Sequence, residues 1–409
     1  MLTKLLVVAD DFTGALDTAV QFSKAGIAAK VYPKVQNLSF LEAEQVVVVN
    51  TNTRHLSAEQ SFNLVHALTS QAKDSGVEFF YKKTDSALRG NIAAELSAML
   101  LASGQRTLYY LPSYPKMNRI TQDGILYIDG VKVSDSNFAN DPFNPVTESF
   151  IPGIFTGPTD VEVYVVSNYD NLNDRPGIAI VDASTDEQLL AAARKLKAIK
   201  GKIYAGNAGF AEQIPQILSF SYSKPIDIIR SNHFCVISAS LNEASLSQVE
   251  YAKSHDFDCL VFPDEYKAEP DFASSYGFSY LLKQISKRLK EEKPVILSSV
   301  ENIDSVYDIP DVNPIQLAER ISKNMGLIAA ELISSTDATV LIIGGDLLYD
   351  TIDALAVSSV IPRTELLPGV AEFEVNLSSS RRQLISKSGG FGDREYIVEI
   401  YNEYLKDTV

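Results

Sequence analysis

The chain has 409 residues and a formal net charge of −16, from 36 Lys and Arg against 52 Asp and Glu. This length favours two domains, since a domain typically takes about 100–200 residues. The acidic balance argues against non-specific binding to nucleic acid or to anionic membranes, which need a positive field, but it leaves room for a basic pocket that binds a small anion.

The start of the chain and its cysteines bear on the cellular compartment. The apolar run 5–9 is followed by two aspartates, so it is too short for a signal peptide and predicts a strand. No apolar run approaches the roughly 18 residues of a membrane span. Cys235 and Cys259 are the only cysteines, which argues against a disulfide framework or a zinc site. We therefore expect a soluble, cytoplasmic protein with no nucleic-acid or membrane partner.

The first half of the chain alternates strand-like and helix-like runs. Ser57 and Gln60 have the spacing of a capping box at the start of one helix. Repeated βα units predict an α/β fold with a doubly wound, mostly parallel sheet. The strands are predicted at 5–9, 46–49, 78–81, 108–111, 178–181 and 203–204, and the helices at 13–24, from 57 onward, 92–101 and 186–199.

Residues 112–176 interrupt this rhythm, because they are rich in Pro, Asn, Asp and Ser. Such a segment is usually functional or disordered, and aromatics such as Phe138 and Phe143 argue against full disorder. The polar stretch 221–231 is the predicted domain boundary, and a second Rossmann-like domain follows it. Its strands are predicted at 234–237, 260–262, 295–297 and 340–343, and its helices at 242–253, up to about 289, 315–332 and up to about 357.

Two adjacent carboxylates, Asp10 and Asp11, follow the first predicted strand, in the segment Asp-Asp-Phe-Thr-Gly-Ala-Leu-Asp. Ligands of doubly wound sheets bind at the carboxyl ends of the strands. There the carboxylates could orient sugar hydroxyls or take a proton, and the backbone N–H groups of Thr13, Gly14 and Ala15 could hold an anion. The alternative is that Asp11 or Thr13 merely caps the helix.

A second charged segment, 82–91, reads Lys-Lys-Thr-Asp-Ser-Ala-Leu-Arg-Gly-Asn and follows another predicted strand. We expect Lys82 and Lys83 to place cations at the sheet edge together with Asp85 and Ser86. Arg89 can bind a carboxylate through two hydrogen bonds. This composition is typical of a site for an anionic, hydroxylated small molecule, although a solvated charged loop would read similarly.

Further polar residues are weaker signals. Arg54 follows the strand 46–49, Arg119 and Asp123 lie in the segment 112–124, and Asp141 begins an Asp-Pro-Phe-Asn-Pro turn. An ordinary polar or proline-rich turn also explains each of them.

Two glycine turns occur in the second half of the chain. Gly344-Gly345-Asp346 follows a predicted strand and precedes a helix, and the segment 387–392 reads Lys-Ser-Gly-Gly-Phe-Gly. Glycines let backbone approach a phosphate, and a helix N-terminus favours negative charge. Each turn alone is a weak signal, because any βα turn can contain glycine; together they make a nucleotide site and ordinary turns equally good interpretations. The phosphate loop Gly-x4-Gly-Lys-Ser/Thr and the fingerprint Gly-x-Gly-x-x-Gly are both absent.

Together these motifs resemble those of the four-carbon acid sugar kinase family, which comprises 3-oxo-tetronate, D-threonate and D-erythronate kinases. The resemblance implies an acid-sugar-binding domain at 1–225, a nucleotide-binding domain at 230–409 and an active-site cleft between them. It also implies phosphorylation of a hydroxyl of a tetronate or 3-oxo-tetronate, with ATP and Mg²⁺. The segments that carry it, in family order, are 9–17, 83–91, 112–124, 141–145, 344–346, 368–370 and 387–392.

The resemblance further implies site residues. Asp10 or Asp11 would orient or deprotonate the attacking hydroxyl, and Lys83 and Arg89 would clamp the substrate carboxylate. The implied catalytic residues are Asp10, Asp11, Lys83, Asp85 and Arg89, with Arg119 also binding substrate; the implied nucleotide ligands are Ser240, Gly344, Gly345, Asp346 and Gly389. From the same motifs we add Thr13, Gly14, Arg54, Ser86 and Asp123 as substrate-binding residues and Leu347 as a nucleotide-binding residue.

The chain departs from the family at three places: Ala-Ser-Leu-Asn at 239–242 replaces Gly-Ser-Cys-Ser, Leu347 replaces Thr, and Asn118 replaces Gly. The first two departures remove hydroxyls beside the expected nucleotide, so a non-catalytic acid-sugar sensor is one alternative. A phosphohydrolase of the haloacid dehalogenase type is another, although its two aspartates stand two apart whereas Asp10 and Asp11 are adjacent. A homodimer is the expectation from base rates for soluble enzymes.

Overall fold

The computed structural model describes residues 3–35, 44–141, 144–156, 161–222, 231–291, 293–301, 313–378 and 380–406. The chain divides into two compact units, Met1–Pro225 and Ile226–Val409. Most of the predicted boundary stretch 221–231 lies outside the described residues, as does Phe143. Across the described ranges, no helix is both long and apolar enough to cross a membrane.

The first unit is built from βα units. Its strands are β1 (Leu5–Ala9), β2 (Ala29–Tyr32), β3 (Val46–Asn50), β4 (Phe79–Lys83), β5 (Thr107–Leu111), β6 (Arg119–Gln122), β7 (Ile125–Ile128), β8 (Val131–Lys132), β9 (Val163–Val166), β10 (Gly177–Val181) and β11 (Ile203–Gly206). Its helices are α1 (Phe12–Ser23), α2 (Ala58–Asp74), α3 (Ile92–Ser103), α4 (Asp186–Ile199), α5 (Ala208–Ala211) and α6 (Ile214–Ile217).

Eight of these strands form a parallel sheet in the order β2-β3-β1-β4-β11-β5-β10-β9. All five residues of β1 are fully buried, as a continuous apolar run in a parallel sheet should be. Within the irregular segment 112–176, β6, β7 and β8 form a small antiparallel sheet, so its described part contains regular structure.

The described part of the second unit contains seven strands and six α-helices. Its strands are β12 (Phe234–Ser238), β13 (Asp258–Val261), β14 (Val295–Ser298), β15 (Thr339–Ile343), β16 (Val360–Leu367), β17 (Val370–Asn376) and β18 (Arg381–Lys387). Its helices are α7 (Glu243–Lys253), α8 (Asp264–Lys267), α9 (Tyr276–Leu289), α10 (Pro314–Ser335), α11 (Gly345–Ala354) and α12 (Tyr396–Lys406). The strand order is β13-β14-β12-β15-β18-β17-β16, parallel as far as β18 and antiparallel beyond it.

The predicted fold class, α/β with doubly wound and mostly parallel sheets, is confirmed. The capping box also forms: Ser57 Oγ accepts from the N–H of Gln60 at 3.2 Å, and Gln60 Oε1 accepts from the N–H of Ser57 at 3.1 Å. Two predictions were wrong in detail. The predicted single helix ending near residue 289 is two helices, α8 and α9, and β4 extends to Lys83, so Lys82 and Lys83 lie within a strand.

Candidate active site

The carboxyl ends of β3, β1 and β4 lie side by side at one edge of the first unit's sheet. Ala9 pairs with Asn50 on one side and with Lys83 on the other. β2 and β3 lie on one side of β1, and β4 lies on the other side. Ligands of such sheets bind at the point where the strand order reverses. The loops that begin at residues 10, 51 and 84 therefore meet there, which brings most of the predicted substrate residues together.

Arg54 is the centre of this edge. Its Nε and Nη2 both lie 2.9 Å from Asp10 Oδ2, and its Nη2 also lies 2.8 Å from Asp11 Oδ1 and 3.6 Å from Asp85 Oδ1. Burial acts to lower the pKa of Arg54, but the three carboxylates outweigh it and raise the pKa well above its ordinary value. One permanently charged guanidinium thus holds three aspartates from two loops in one place.

Asp10 keeps one carboxylate oxygen available. The residue is 2% exposed, and its Oδ1 has no hydrogen-bond partner among the described residues. Burial acts to raise the pKa of Asp10, but the positive charges of Arg54, Lys82 and Lys83 bring it below its ordinary value. Asp10 is therefore an ionised, fixed acceptor, and a buried acceptor without a donor is costly unless a ligand supplies one.

Arg89 is already paired with acids. Its Nε lies 3.1 Å from Asp85 Oδ2, its Nη2 2.9 Å from Asp85 Oδ1 and its Nη1 3.1 Å from Asp141 Oδ2. Burial acts to raise the pKa of Asp85, but Arg89 and Arg54 hold it well below its ordinary value. The expectation that Arg89 grips a substrate carboxylate through two bonds therefore needs revision, because Asp85 occupies that edge of the guanidinium.

Lys83 is a more available cation. It is 5% exposed and forms no salt bridge with any described carboxylate. The absence of a side chain at Gly14 leaves space for Lys83. A Cβ added there would lie 2.4 Å from both Lys83 Nζ and Asp11 Oδ1, so a side chain at position 14 would displace both groups. A buried cation that forms no salt bridge with a described acid favours an anionic ligand.

The first turn of α1 fits the capping alternative. Asp11 is its N-cap, since its Oδ1 accepts from the N–H of Gly14 at 3.2 Å, and the N–H of Ala15 bonds to Asp11 O at 3.0 Å. Two of the three N–H groups expected to hold an anion are thus already bonded. The hydroxyl of Thr13 is buried and has no partner among the described residues, so it keeps a capacity to bind ligand.

Arg119 lies at the same edge, on β6. Its Nη1 donates to Ser86 Oγ, and the guanidinium groups of Arg89 and Arg119 lie 5.3 and 5.6 Å from the centre of the Phe138 ring. An aromatic face attracts such cations. Phe138 thus holds two arginines beside one another, which their charges alone would oppose.

Two residues have roles that differ from the expectation. Lys82 is fully buried within β4, and its Nζ lies 3.0 Å from Glu95 Oε2, so it is a core ion pair rather than an edge cation. Asp123 is exposed at the β6–β7 hairpin turn with a φ of 51°, a left-handed conformation that Asp tolerates. Substrate binding by Asp123 stays a prediction.

The predicted nucleotide residues meet at one edge of the second unit. β12, β15 and β18 are neighbouring parallel strands, so the loops after all three lie at the same carboxyl edge. Ser240, Gly344 and Gly389 lie one in each loop. A Cβ added at Gly389 would lie 2.4 Å from Ser240 Oγ, so the first and third loops are in close contact and a side chain at position 389 would displace the Ser240 hydroxyl.

The loop after β15 leads into an uncapped helix. Gly344 has a φ of 121° and precedes α11, whose N-terminus has no side-chain cap. Gly345 and Asp346 are exposed, and free N–H groups in a first helical turn attract anions. Leu347 differs from the expectation: its side chain is 1% exposed and packs into the unit, so only its backbone is available to a nucleotide.

The glycine turn after β18 is held by α7. Ser245 Oγ donates to Gly389 O at 2.6 Å, and Gln248 Nε2 donates to Phe391 O and Gly392 O, each at 2.9 Å. Both polar side chains are fully buried. Sequence reasoning missed them, although two polar residues three apart on the inner face of an amphipathic helix are a usable signal.

The side chains at this edge indicate which groups would bind Mg²⁺. Within the described ranges no group of three or more His, Cys, Asp or Glu side chains is placed to bind a metal ion. Mg²⁺ in phosphoryl-transfer sites is commonly bound by one or two carboxylates together with substrate phosphates and water. The residues present fit that arrangement, with the exposed Asp346 beside the α11 N-terminus as the available carboxylate.

Comparison with known proteins agrees with this division of roles. A family model described as a sugar-binding N-terminal domain matches residues 5–214, more than half of the chain, and one described as a nucleotide-binding C-terminal domain matches residues 235–397. The chain belongs to the four-carbon acid sugar kinase family.

Curated members of the four-carbon acid sugar kinase family match nearly the whole chain. A D-threonate kinase of Salmonella typhimurium is 27% identical over 97% of this chain and 99% of its own length. A 3-oxo-tetronate kinase of the same organism is 22% identical over 98% and 99%, and a D-erythronate kinase of Heliobacterium modesticaldum is 21% identical over 90% and 89%.

Solved structures support the fold. A crystal structure from Salmonella typhimurium superposes with a TM-score of 0.80 at 19% identity, covering 98% of this chain and 99% of its own. A Haemophilus influenzae protein superposes with a TM-score of 0.72 at 18% identity, covering 98% and 100%. At these identities the likeness concerns the architecture.

Proposed function

We propose that this family member is an ATP-dependent kinase that phosphorylates a hydroxyl of a four-carbon acid sugar of the tetronate or 3-oxo-tetronate class. The observation that carries the proposal is Asp10, a buried and ionised carboxylate with one oxygen held by Arg54 and the other without a partner in the described chain. That free oxygen is an acceptor for a substrate hydroxyl, and Lys83 supplies a cation for the acid group of the same substrate.

Asp10 orients the attacking hydroxyl and accepts its proton as the new oxygen–phosphorus bond forms and the bond between the γ-phosphorus of ATP and the leaving ADP breaks. Its lowered pKa makes it a weak base, which suits phosphoryl transfer, because catalysis there is mostly positioning and electrostatic stabilisation. Lys83 binds the substrate carboxylate. Arg54 and Arg89 keep the carboxylates of Asp11 and Asp85 at fixed positions around the substrate hydroxyls.

The second unit binds the nucleotide. The free N–H groups at the start of α11 and the backbone of the glycine turn after β18 are donors for phosphate oxygens. ATP supplies the phosphoryl group, and Mg²⁺ neutralises phosphate charge when bound. An active-site cleft between the two domains, a homodimer and a cytoplasmic location stay predictions.

The two departures from the family near the expected nucleotide, at 239–242 and at Leu347, are compatible with catalysis. Asn242 is the N-cap of α7, with its Oδ1 accepting from the N–H of Ala244 at 3.0 Å, so it does the capping that a serine would do there. Leu347 fills the core of the unit. These local structural roles favour an active kinase over a non-catalytic sensor.

Phosphorus NMR tests the proposal directly. The protein is incubated with ATP, Mg²⁺ and a panel of tetronates and 3-oxo-tetronates, and we expect a new phosphomonoester resonance together with ADP for at least one of them. Binding of a panel member by calorimetry without any product supports the sensor alternative. Release of phosphate from sugar phosphates without ATP supports the phosphohydrolase, and the kinase proposal fails in either case.

A further inference from the structure

Lys82 on β4 and Lys387 on β18 are almost completely buried, and they differ in how their charge is met. Lys82 is 0% exposed and Lys387 is 1% exposed. Each ammonium group donates to the carbonyl of the next residue, Lys82 to Lys83 O at 2.8 Å and Lys387 to Ser388 O at 2.9 Å. Lys82 also has Glu95 Oε2 at 3.0 Å, whereas Lys387 forms no ion pair with any described residue.

Lys387 lies where the proposed nucleotide loops join. Its backbone carbonyl accepts from the N–H of Gly344 at 3.2 Å, and it pairs with Ile343, the last residue of β15. Its Nζ bonds to Ser388, the first residue of the glycine turn whose Gly389 touches Ser240. One residue therefore contacts the backbone of both glycine turns.

A buried amine without an acid partner is destabilising, so its presence at this place needs a compensating partner. We propose that Lys387 is a phosphate-binding cation of the nucleotide site. The phosphates of the nucleotide then supply the negative charge that no described acid of the protein supplies. The inference rests on the proposed function and adds to it a named residue and a named part of the ligand, the phosphates rather than the nucleoside.

The protonation state of Lys387 agrees with this role. Burial lowers the pKa of Lys387 to about 7, so the amine of the free protein is about half neutral near pH 7 and mostly neutral near pH 8. The acids on the elements around it are Glu372 and Glu374 on β17, Asp346, Asp350 and Asp353 on α11, and Glu399 and Glu403 on α12; the phenols are Tyr349, Tyr396, Tyr401 and Tyr404. Glu372 accepts from Gln383, Glu374 pairs with Arg363, Asp350 accepts from Ser322 and Tyr396 donates to Pro368 O at 2.6 Å. No described acid forms a salt bridge with Lys387. An arriving phosphate would thus raise the pKa of Lys387 with little competition.

The test compares Lys387→Met with the wild-type protein in calorimetric titrations with ATP, ADP and adenosine. Methionine keeps the length of the side chain and removes the amine. We expect about ten- to a hundredfold weaker binding of ATP, as for loss of a charge-assisted hydrogen bond, and unchanged binding of adenosine. Lys283→Met, which removes an exposed lysine of α9, is the matched control and should bind all three ligands as the wild type does.

A second measurement does not depend on the variant folding. At about pH 8 ATP is fully ionised, so ATP binding to the wild-type protein should take up close to one proton, seen as a dependence of binding heat on the ionisation enthalpy of the buffer. Equal ATP affinity in Lys387→Met and wild type, equal losses for ATP and adenosine, or binding without proton uptake would overturn the role of Lys387 alone. A wild-type protein that binds neither ATP nor ADP would overturn the proposed function as well.

Discussion

Arg54 binds Asp10 through one carboxylate oxygen: Nε and Nη2 of Arg54 both lie 2.9 Å from Oδ2 of Asp10. The other oxygen, Oδ1, has no partner in the described structure. The arginine thereby fixes the carboxylate and keeps it ionised without blocking its second oxygen. The arrangement separates two tasks within one side chain, since one oxygen anchors it and the other is left for the substrate hydroxyl of the proposed reaction.

Replacing Asp10 by Asn tests this separation. The amide keeps an oxygen for Arg54 but cannot accept the proton of the substrate hydroxyl. We expect kcat to fall by about a hundredfold or more, the usual range for loss of a positioned base, with the KM for ATP unchanged, in a coupled assay of ADP release. Asp174→Asn, at an exposed position, should keep wild-type rates. An Asp10→Asn protein with more than a tenth of the wild-type kcat would contradict the role.

Lys83→Met tests which cation binds the acid group. Because Lys83 forms no salt bridge with a described carboxylate, its loss should weaken acid-sugar binding, raising KM about ten- to a hundredfold, while the KM of an uncharged four-carbon polyol stays as poor as before. Lys132→Met, at an exposed position on β8, is the matched control. An equal effect on the acid and the polyol would mean that Lys83 only shapes the site.

The sequence was sufficient to predict the βα units of both halves and most of the residues at the β1, β3 and β4 edge. Continuous apolar runs such as 5–9 are a strong local signal, and polar residues that follow them must meet if the strands are parallel. The antiparallel strands β16, β17 and β18 were missed because they carry buried polar residues such as Glu372 and Gln383, which weaken the apolar pattern.

The sequence alone did not show which charged side chains pair with one another. Nothing local to 82–91 shows that Glu95 neutralises Lys82, or that Asp85 occupies the edge of Arg89 that a substrate was expected to use. Such pairings depend on the end of β4, which lies two residues later than predicted, and on the packing of α3 against that strand. The sequence therefore predicted which residue types lie at the site. It did not predict which of the charged side chains form ion pairs within the protein.

The Lys82–Glu95 pair should behave as a core ion pair. Glu95→Gln leaves the buried ammonium without its counter-ion and should lower the free energy of unfolding by about 3–5 kcal/mol in urea titrations followed by circular dichroism. The double variant Lys82→Met with Glu95→Gln removes the stranded charge and keeps an acceptor for Thr53, so it should regain most of that loss. A double variant no more stable than Glu95→Gln would show that burial of the charge is not what matters.

Ser245 and Gln248 should act on nucleotide binding through the glycine turn they hold. Ser245→Ala and Gln248→Leu each remove donors to that turn, and we expect a several-fold to tenfold rise in the KM for ATP with the KM for acid sugar unchanged. Ser247→Ala is the matched control, since among the described residues the hydroxyl of Ser247 bonds to Ala244 O, in its own helix. If Ser245→Ala and Ser247→Ala behave alike, the contact with Gly389 does not position the turn.

Because Lys387 is buried, we expect the free energy of unfolding to change with pH in a defined direction. Burial lowers its pKa from 10.5 to about 7. Below about pH 7 the amine is charged in the folded and unfolded states, and the cost of burying that charge is present in full. Between about pH 7 and 10.5 the unfolded chain binds a proton that the folded chain lacks, so the free energy of unfolding rises with pH, by at most about 1.4 kcal/mol per pH unit.

Urea titrations at pH 7 and pH 9 measure this term as the difference between wild type and Lys387→Met, which cancels the contribution of every other titrating group. The variant lacks the amine, so the wild type should gain about 2 kcal/mol on it over that interval. Lys283→Met should follow the wild type at both pH values. If the free energies of unfolding of wild type and Lys387→Met change in parallel between the two pH values, the amine at position 387 carries its ordinary charge in the folded protein.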